Sequence, residues 1–355
     1  MTYIFKKLCY LLVIILGVTT VIFLIFNVLP GDPSKLLMGQ RQDSATEAVI
    51  RKQLGLDEPL YKRYIKYIDD VSPISVYNSK NTDSFFYLSS DYEVYAFLFS
   101  INNASLVIKK PYLGRSYVSQ KKVGVLLSET LPSTILLAFT AIFIASVLGI
   151  FLGILSGIYQ GSWVDKTILS ISVLGVAGPS FFISIILAWL FGLVLKDYTG
   201  LNMTGSLYDI DPFLGESIQL KNLILPSIAL GIRPLSVIIQ LTRNEFLDIM
   251  KADFIRTARA KGLSEKTVLV KHALRNTLNP IVTALSSWLS GALAGSVFVE
   301  YVFGWNGVGK EVVDALEKFD FPVLMGSILV FAIFFAVISV LVDILYTYID
   351  PRVKL

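Results

Sequence analysis

The sequence predicts an all-α, polytopic membrane protein with six transmembrane helices, both termini in the cytoplasm and an external elaboration between the first two spans. Three observations predict this fold class. Hydrophobic residues make up 54% of the 355 residues and occur in long blocks. Charged residues make up only 16%, against about 25% in soluble proteins, and most lie between the blocks. Six blocks hold the roughly 20 apolar residues that a bilayer-crossing helix needs.

The six predicted spans cover about residues 8–28, 131–159, 167–195, 223–243, 278–303 and 322–346. Each should be a helix, because lipid offers no water to satisfy backbone groups. The first span follows Lys6 and Lys7, as a signal peptide also would. However, it is longer than a signal peptide's apolar region and ends in NVLPGDP, a poor cleavage site. We therefore expect it to be a retained transmembrane helix.

Basic residues give the orientation. They collect at both termini and in the cluster from Arg243 to Arg275, whereas the loops 196–222 and 304–321 contain more Asp and Glu than Lys. Short cytoplasmic loops carry the excess of Lys and Arg. The termini and residues 244–277 are therefore predicted to be cytoplasmic, and residues 29–128 external.

The external segment has two predicted parts, and the membrane core follows it. In IRKQLGLDEPLYKRYIKYI we expect an amphipathic helix that stops at Gly55 and a second helix after Pro59. Over about 70–110, polar, aromatic and β-branched residues alternate, which predicts a small strand-rich elaboration. Its apolar runs, FLFSI and SLVI, are too short to cross a bilayer. Residues 129–349 are the predicted five-helix membrane core.

Glycines spaced four residues apart occur in two of the predicted spans. Gly149, Gly153 and Gly157 share one face of the second span, and Gly291 and Gly295 share one face of the fifth. Small residues at this spacing let helix backbones approach closely in lipid. The partner is either another helix of this chain or a second membrane subunit, and the sequence leaves both open.

Arg233 lies near the middle of the fourth span. An arginine at this depth normally faces a cavity or a partner, because exposure to lipid is costly. It either lines a substrate path and meets a carboxylate, or it pairs with an acidic group in a structural role. In the preceding span, Pro179 after Gly178 should bend the helix.

The sequence predicts no chemistry carried out by the chain itself. One cysteine and one histidine exclude an internal disulfide and a histidine-rich metal cage. No GxxxxGK[ST], HExxH or GxSxG motif occurs. We therefore expect no catalytic residue, no metal site and no bound cofactor. Any energy for uphill transport would come from another protein.

A basic stretch, residues 252–264 with the sequence ADFIRTARAKGLS, lies in the predicted cytoplasmic loop. Phe254, Ala258 and Gly262 recur four apart and would share one helix face. The basic rim of this face consists of Arg256, Arg259 and Lys261. Such a face suits a groove on an acidic partner, and Gly262 would end the helix. The alternative, a basic loop touching anionic lipid, explains the charge but not the alanine–glycine face.

DFIRTARAKGLS followed by KHALRN resembles the cytoplasmic coupling loop of permease subunits of binding-protein-dependent ABC importers, in the variant of the dipeptide/oligopeptide/nickel class. Residues 256–258 occupy the Glu-Ala-Ala positions of the general motif and Gly262 matches its glycine, whereas His272 and Arg275 replace a later isoleucine and proline. Other segments resemble the B-type membrane subunit of that class, namely FNVLPGDP, LGLDEPLYKRY, PYLGRSYVSQKKVGVLLSETLPSTILLA, EYVFGWNGVGKEVVDAL, FDFPVLMG and VDILYTYIDPRVKL. Only about 70–110 looks like an insertion.

The resemblance implies a multi-pass permease of the cytoplasmic (inner) membrane that pairs with a homologous second membrane subunit. Two cytoplasmic ATPase subunits would bind ATP and Mg²⁺, an external solute-binding protein would deliver substrate, and no nucleic acid would be involved. Ala258 and Gly262 would seat the helix around Phe254 in an ATPase groove, and the basic rim would anchor it. Di- or oligopeptides are the expected substrates, with nickel or a nickel chelate as the alternative. Gly262→Glu should abolish coupling.

Two other classes of function compete with this one. A secondary transporter or channel working alone should show ion-coupling acids within its spans or an inverted repeat, and neither is visible in the sequence. A membrane-anchored binding or assembly protein would explain the insertion at about 70–110, but it would not explain the basic stretch.

Overall fold

The computed structural model describes residues 2–28, 47–49, 51, 56–78, 91–101, 104–211 and 215–349. The chain divides into two compact units. The first unit comprises Met1–Glu129 with Asp314–Ile333, and the second comprises Thr130–Val313 with Phe334–Leu355. Residues 314–333, which the sequence assigned to the membrane core, thus cluster with the N-terminal unit.

The first unit begins with two helices that pack on each other. Helix α1 covers Thr2–Val28, and helix α2 covers Leu60–Val71, directly after Pro59 as expected. The ring centroids of Phe23 and Tyr64 lie 5.2 Å apart, and the Tyr64 hydroxyl shares a 2.7 Å hydrogen bond with a threonine of α1. The helix expected before Gly55 lies largely outside the described residues.

A three-stranded antiparallel sheet follows α2. Its strands are β1 (Ile74–Asn78), β2 (Val94–Ile101) and β3 (Ala104–Lys109), in the order β1-β3-β2. Side chains alternate between the two sheet faces, so Tyr77 and Val107 are buried while Ile74 and Val76 are exposed. The expected strand-rich elaboration is therefore present, in a chain that is mostly helical rather than all-α.

Polar contacts around Asp70 join the sheet to α2. The Tyr92 hydroxyl donates to Asp70 Oδ1 at 2.6 Å, and Lys109 Nζ donates to the Asp70 carbonyl at 2.5 Å. The buried Lys109 ammonium also lies 5.2 Å from the centroid of the Tyr92 ring. Burial raises the pKa of Asp70 to about 6 and lowers the pKa of Lys109.

Asp320 ties together two distant segments of the first unit. Its buried carboxylate accepts hydrogen bonds from the Ser116 hydroxyl and from the Tyr117 backbone N–H, the latter at 3.0 Å. Ser116 belongs to PYLGRSYVSQ and Asp320 to FDFPVLMG, two of the segments on which the family resemblance rests. These two motifs are therefore halves of one local structure.

The remaining elements, in chain order, are α3 (Val123–Ile158), α4 (Trp163–Ala177), α5 (Ser180–Trp189) with a π-helical extension (Leu190–Val194), α6 (Lys196–Thr199), β4 (Tyr208–Asp211), β5 (Gly215–Ile218), α7 (Lys221–Met250), α8 (Asp253–Ala260), α9 (Glu265–Thr267) with a π-helical segment (Val268–Leu274), α10 (Arg275–Phe303), α11 (Val308–Glu317) and α12 (Phe321–Ile349). The sequence did not predict the β4–β5 hairpin or α11. Both lie in loops between the predicted spans.

Five described helices are long and apolar enough to cross a membrane, or six if a bent pair counts as one span. The bent pair is α4 with α5 and its extension, and its two arms differ in direction by 110°. The break lies at Gly178 and Pro179, because proline cannot continue the hydrogen bonds of a helix. The bend expected at Pro179 is confirmed, but the third span is two segments rather than one helix over 167–195.

Helices α3 and α7 of the second unit pack closely through the first glycine set. The glycines are Gly149, Gly153 and Gly157. A Cβ built on each would lie 2.6–2.7 Å from the side chains of Ile238, Thr242 and Phe246, respectively. Both sets recur every four residues, so one face of each helix meets the other over two turns. These glycines serve packing within the chain.

Candidate functional site

Helix α8, in the basic stretch, contacts the rest of the second unit along one narrow edge. Ile255 and Ala258 lie three residues apart and are 0% and 5% exposed. They belong to an apolar cluster with Phe246 of α7 and with Val268 and Ala273 of the π-helical segment. The cluster fixes α8 against the ends of the neighbouring helices, and every other residue of α8 is exposed.

Ala258 is buried, although the sequence suggested that it faces a partner. Phe254 is 44% exposed and Gly262 is exposed, but Ala258 packs into the chain's own core. Phe254 and Ala258 are four residues apart within α8, so they remain neighbours on the helix surface. Ala258 lies between Phe254 and Ile255 and is covered with Ile255, while Gly262 lies beyond the end of α8 at Ala260. The buried edge of α8 consists of Ile255 and of Ala258, three positions later.

Gly262 makes the turn after α8. Its φ is +76°, its N–H donates to the Arg259 carbonyl at 2.9 Å, and the Leu263 N–H donates to the Ala258 carbonyl at 3.4 Å. This pair of hydrogen bonds is a Schellman motif, in which glycine is favoured because it has no Cβ. Ser264 then caps α9 by accepting the Thr267 N–H. The sequence correctly placed the turn at Gly262.

The basic rim remains accessible. Arg256, Arg259 and Lys261 are all exposed. Arg259 donates to both carboxylate oxygens of Glu265, at 2.8 and 3.3 Å, which joins α8 to α9 across the turn. Exposed ion pairs contribute only about 0–1 kcal/mol, so a partner can displace them at little cost. The accessible surface thus combines three cations with exposed Phe254 and with Leu263, which the sequence did not single out.

A buried ion pair lies one turn before Phe246. Arg243 donates from Nε and Nη2 to the two carboxylate oxygens of Asp165, at 2.7 and 2.8 Å. Asp165 is 2% exposed and also accepts from the Gly161 N–H and the Ser156 hydroxyl. The pair therefore joins the ends of α3, α4 and α7 near the α8 cluster. The pattern SWVD indicates a helix start at this point, but no local pattern identifies the distant Arg243.

A second buried carboxylate organises the end of α10. Glu300 is fully buried and accepts hydrogen bonds from the Ser296 hydroxyl at 2.8 Å and from the backbone N–H groups of Gly309 and Lys310, at 2.7 and 3.3 Å. The two N–H groups belong to the first turn of α11, where negative charge is favourable. Glu300 therefore fixes the position of α11.

The segment before α11 is attached to α3. The Trp305 indole donates to the Ser133 carbonyl at 3.1 Å, and the Val308 N–H donates to Thr134 Oγ1 at 2.8 Å. These contacts join LPST to EYVFGWNGVG, again two segments on which the family resemblance rests. These residues therefore have a structural role, because every polar group named here has a hydrogen-bond partner inside the chain.

Arg233 and the second glycine set lie on faces that the chain leaves open. Arg233 is exposed on α7, and in the described part of the chain the structure gives it no hydrogen bond or ion pair. A Cβ on Gly291 would meet nothing within 4 Å, and one on Gly295 would meet Leu230 Cδ1 at an ordinary 3.6 Å. The structure does not bring these residues to the α8 surface. Among the described residues, no group of three or more potential metal ligands occurs.

Two family models match the sequence. Residues 149–355 match the model described as "Binding-protein-dependent transport system inner membrane component", and residues 1–85 match "Binding-prot-dependent transport system membrane comp, N-term". The first match alone covers more than half of the chain. The chain belongs to this family. It is therefore an ABC importer permease, a transport subunit that crosses the inner membrane several times.

Known permeases are similar over the full length. The glutathione transport system permease protein GsiC of Salmonella paratyphi A is 31% identical over 354 residues, covering 100% of this chain and 99% of GsiC. The dipeptide permease protein DppB of Alkalihalophilus pseudofirmus and the di/tripeptide permease protein DppB of Pseudomonas aeruginosa are each 30% identical, with the same coverage. All three are named as permeases of peptide or glutathione transport systems.

Solved structures support the fold of the permease. The MetNI methionine ABC transporter, solved in inward-facing conformations, includes a chain that matches with a TM-score of 0.51 and 17% sequence identity. The match covers 64% of this chain and 97% of the other. At this identity the likeness concerns the fold alone, and it agrees with the helical architecture described above.

Proposed function

We propose that this permease is one of two membrane subunits of an ATP-driven importer that takes up di- or oligopeptides. A homologous permease would be the other, an external solute-binding protein would deliver the peptide, and two cytoplasmic ATPase subunits would bind ATP and Mg²⁺. The observation that carries the proposal is the exposed basic stretch in a chain of this family. The peptide and glutathione transport named for the full-length relatives supports the substrate class.

The basic stretch is the proposed docking site for an ATPase subunit. Phe254 and Leu263 supply exposed apolar surface, and Arg256, Arg259 and Lys261 would attract an acidic groove. Gly262 would approach the ATPase closely, since a side chain there would extend away from the rest of this chain. Ala258 has a different role from the one expected, because it would hold α8 on Phe246 and carry its movement to α7.

The proposed orientation places α8 and both termini in the cytoplasm and the β1-β3-β2 sheet outside. The excess of Lys and Arg around 244–277 supports the inner location of α8. The exposed face of α10 with Gly291 and Gly295 is a candidate contact for the second permease, since small residues allow close helix approach in lipid.

A matched pair of variants tests the docking site. Gly262→Asn and Gly262→Asp have side chains of the same size, and both residues tolerate positive φ better than most. Only the aspartate adds negative charge facing the proposed acidic groove. We expect affinity purification in mild detergent to recover ATPase subunits with the wild type and with Gly262→Asn. With Gly262→Asp their recovery should fall at least about tenfold, which corresponds to 1.4 kcal/mol of binding free energy.

Membrane insertion of both variants, measured as the yield of folded permease, should equal that of the wild type. A wild-type complex without any ATPase subunit after gentle cross-linking would contradict the proposed function. Equal recovery with both variants would contradict docking at Gly262 but not the importer assignment.

A further inference from the structure

Arg233 is an exposed charge near the middle of a helix that is long and apolar enough to cross the membrane. It lies 12 residues after Lys221 and 17 before Met250 in α7, about 18 Å and 25 Å along the helix axis. A charged side chain at the centre of a bilayer-crossing helix is costly when it faces lipid. Since the described part of the chain offers Arg233 no partner, its face of α7 should border water or another molecule.

That face of α7 continues as a stripe in which three of the four side chains are polar. Arg233, Val237, Gln240 and Asn244 follow at spacings of four, three and four residues, so they lie along one side of the helix. Val237, Gln240 and Asn244 line a groove of about 570 Å³ between α4 and α7, opposite Val173, Val176 and Ala177 of α4. The groove is mainly apolar with two amide side chains, which is the usual composition of a small-molecule site.

The break between α4 and α5 lies close to Arg233. A Cβ on Gly175 would contact Ser236 and would lie 2.9 Å from Ile232 Cγ2, so Gly175 is level with the turn of α7 that contains Arg233. Gly178, where α4 ends, is three residues further on, or about 4.5 Å along the helix. Non-helical backbone at this depth is tolerated where protein covers it or where it lines a water-filled cavity.

We propose that Arg233 binds a carboxylate of the peptide as it crosses the membrane, and that the stripe from Arg233 to Asn244 forms one wall of its path. This inference rests on the proposed function and adds a specificity-determining residue to it. A guanidinium donates two parallel hydrogen bonds to a carboxylate, and every unmodified linear peptide ends in one. Gln240 and Asn244 supply amide groups that can pair with the peptide backbone further along the groove.

The test replaces Arg233 and then restores its charge. Uptake of radiolabelled tri-alanine is measured in cells that make the complete transporter. We expect Arg233→Gln to lower the maximal uptake rate at least about tenfold, the loss of one good charge-assisted contact. The affinity of the solute-binding protein for tri-alanine should not change. ATP hydrolysis by the purified complex should persist.

Charge restoration uses Arg233→Cys in a Cys9→Ser background, since Cys9 is the only native cysteine of the chain. The thiolate attacks the sulfenyl sulfur of a methanethiosulfonate, a disulfide forms and methanesulfinate leaves. The 2-aminoethyl reagent adds a cation, and the 2-hydroxyethyl reagent adds a neutral group of similar size. We expect the amine to raise uptake at least about fivefold over the hydroxyl adduct. The Cys9→Ser parent, treated identically, controls for reaction with other proteins.

Normal uptake by Arg233→Gln, equal uptake with both adducts, or a thiol that neither reagent reaches would each overturn the inference. Loss of the second permease subunit from Arg233→Gln complexes would overturn it as well, because Arg233 would then be an interface residue. A wild-type transporter that does not take up tri-alanine would instead contradict the peptide substrate of the proposed function, and this inference with it.

Discussion

At the scale of single residues, Glu300 shows how one buried carboxylate determines its neighbours. A Cβ on Gly309 would lie 2.8 Å from Glu300 Oε2 and 2.6 Å from Val297 Cα, and one on Gly307 would overlap Glu300 and lie 2.5 Å from Thr134 Oγ1. The carboxylate cannot move aside without giving up the N–H groups that it accepts. Glycine at these two positions is therefore a consequence of the cap on α11.

We expect Gly307→Ala to destabilise the permease. Overpacking at such a site costs about 1–3 kcal/mol, so the apparent melting temperature in detergent should fall by several degrees. Gly124→Ala in α3 is the matched control, because a Cβ there meets nothing within 4 Å and alanine favours a helix. Tryptophan fluorescence during heating provides the measurement. Equal melting of Gly307→Ala and the wild type would contradict the steric account.

Asp70 predicts a pH dependence for the first unit. Burial raises the pKa of its carboxyl to about 6 in the folded chain, against about 3.9 in an unfolded chain. The folded state therefore holds the proton more tightly, and this contribution to stability is lost as pH rises from about 4 to above 6. We expect the melting temperature of Asp70→Asn, relative to the wild type, to rise over this pH interval.

Asp91→Asn is the control for this measurement, with the opposite sign. Hydrogen bonding to Arg115 holds the pKa of Asp91 below its usual range. Its stabilising contribution is therefore present above the unfolded pKa and is lost as pH falls. Parallel pH profiles for the two variants would contradict these assignments.

At the scale of elements, one residue of the α3–α7 contact also packs against α8. Phe246 lies against Gly157 of α3 and also belongs to the cluster that buries Ile255 and Ala258 of α8. Ile238, two turns along α7, has the same kind of contact with Gly149 but is not part of the α8 cluster. One aromatic ring therefore connects α8 to the packing of two membrane helices.

We expect Phe246→Ala and Ile238→Ala to separate packing from coupling. Both remove buried side chains and should cost about 2–5 kcal/mol of stability. Only Phe246→Ala should lower the amount of peptide taken up per ATP hydrolysed, because only Phe246 contacts α8. The measurement is uptake and ATP hydrolysis in the same reconstituted vesicles. The same ratio for both variants would show that Phe246 has no special part in coupling.

The elements also show which features a sequence can reveal. Long apolar runs predicted the membrane helices because span length is set by bilayer thickness, and Pro179 predicted the bend because the missing N–H is a local property. The partners of Asp165 and Asp320 could not be predicted. Arg243 and Ser116 lie 78 and 204 residues away from these carboxylates, and no local sequence pattern indicates such distant partners. The burial of Ala258 beside exposed Phe254 was not predicted, because helix periodicity does not show which edge of a face the rest of the chain covers.

At the scale of the whole molecule, the family and its several membrane-spanning helices followed from the sequence, whereas the division into units did not. Residues 314–333 join the N-terminal unit, partly because Asp320 binds the segment at Ser116. The resemblance rested on separate motifs in the right order. In the structure several of them prove to be halves of the same hydrogen-bonded clusters, such as Trp305 with Ser133.

The helix that begins at Glu265 runs without interruption to Phe303, a length of 39 residues, or about 58 Å. One end of this long helix adjoins the Gly262 turn, and the other carries Glu300, which caps α11. A tilt of only about 5° about one end would displace the other by about 5 Å, one helical turn. The π-helical turns at Val268–Leu274 lie close to the end at the Gly262 turn, so most of the helix is regular α-helix. Because Glu300 accepts the N–H groups of the first turn of α11, a tilt of this size about the Gly262 turn would shift the start of α11 by the same distance.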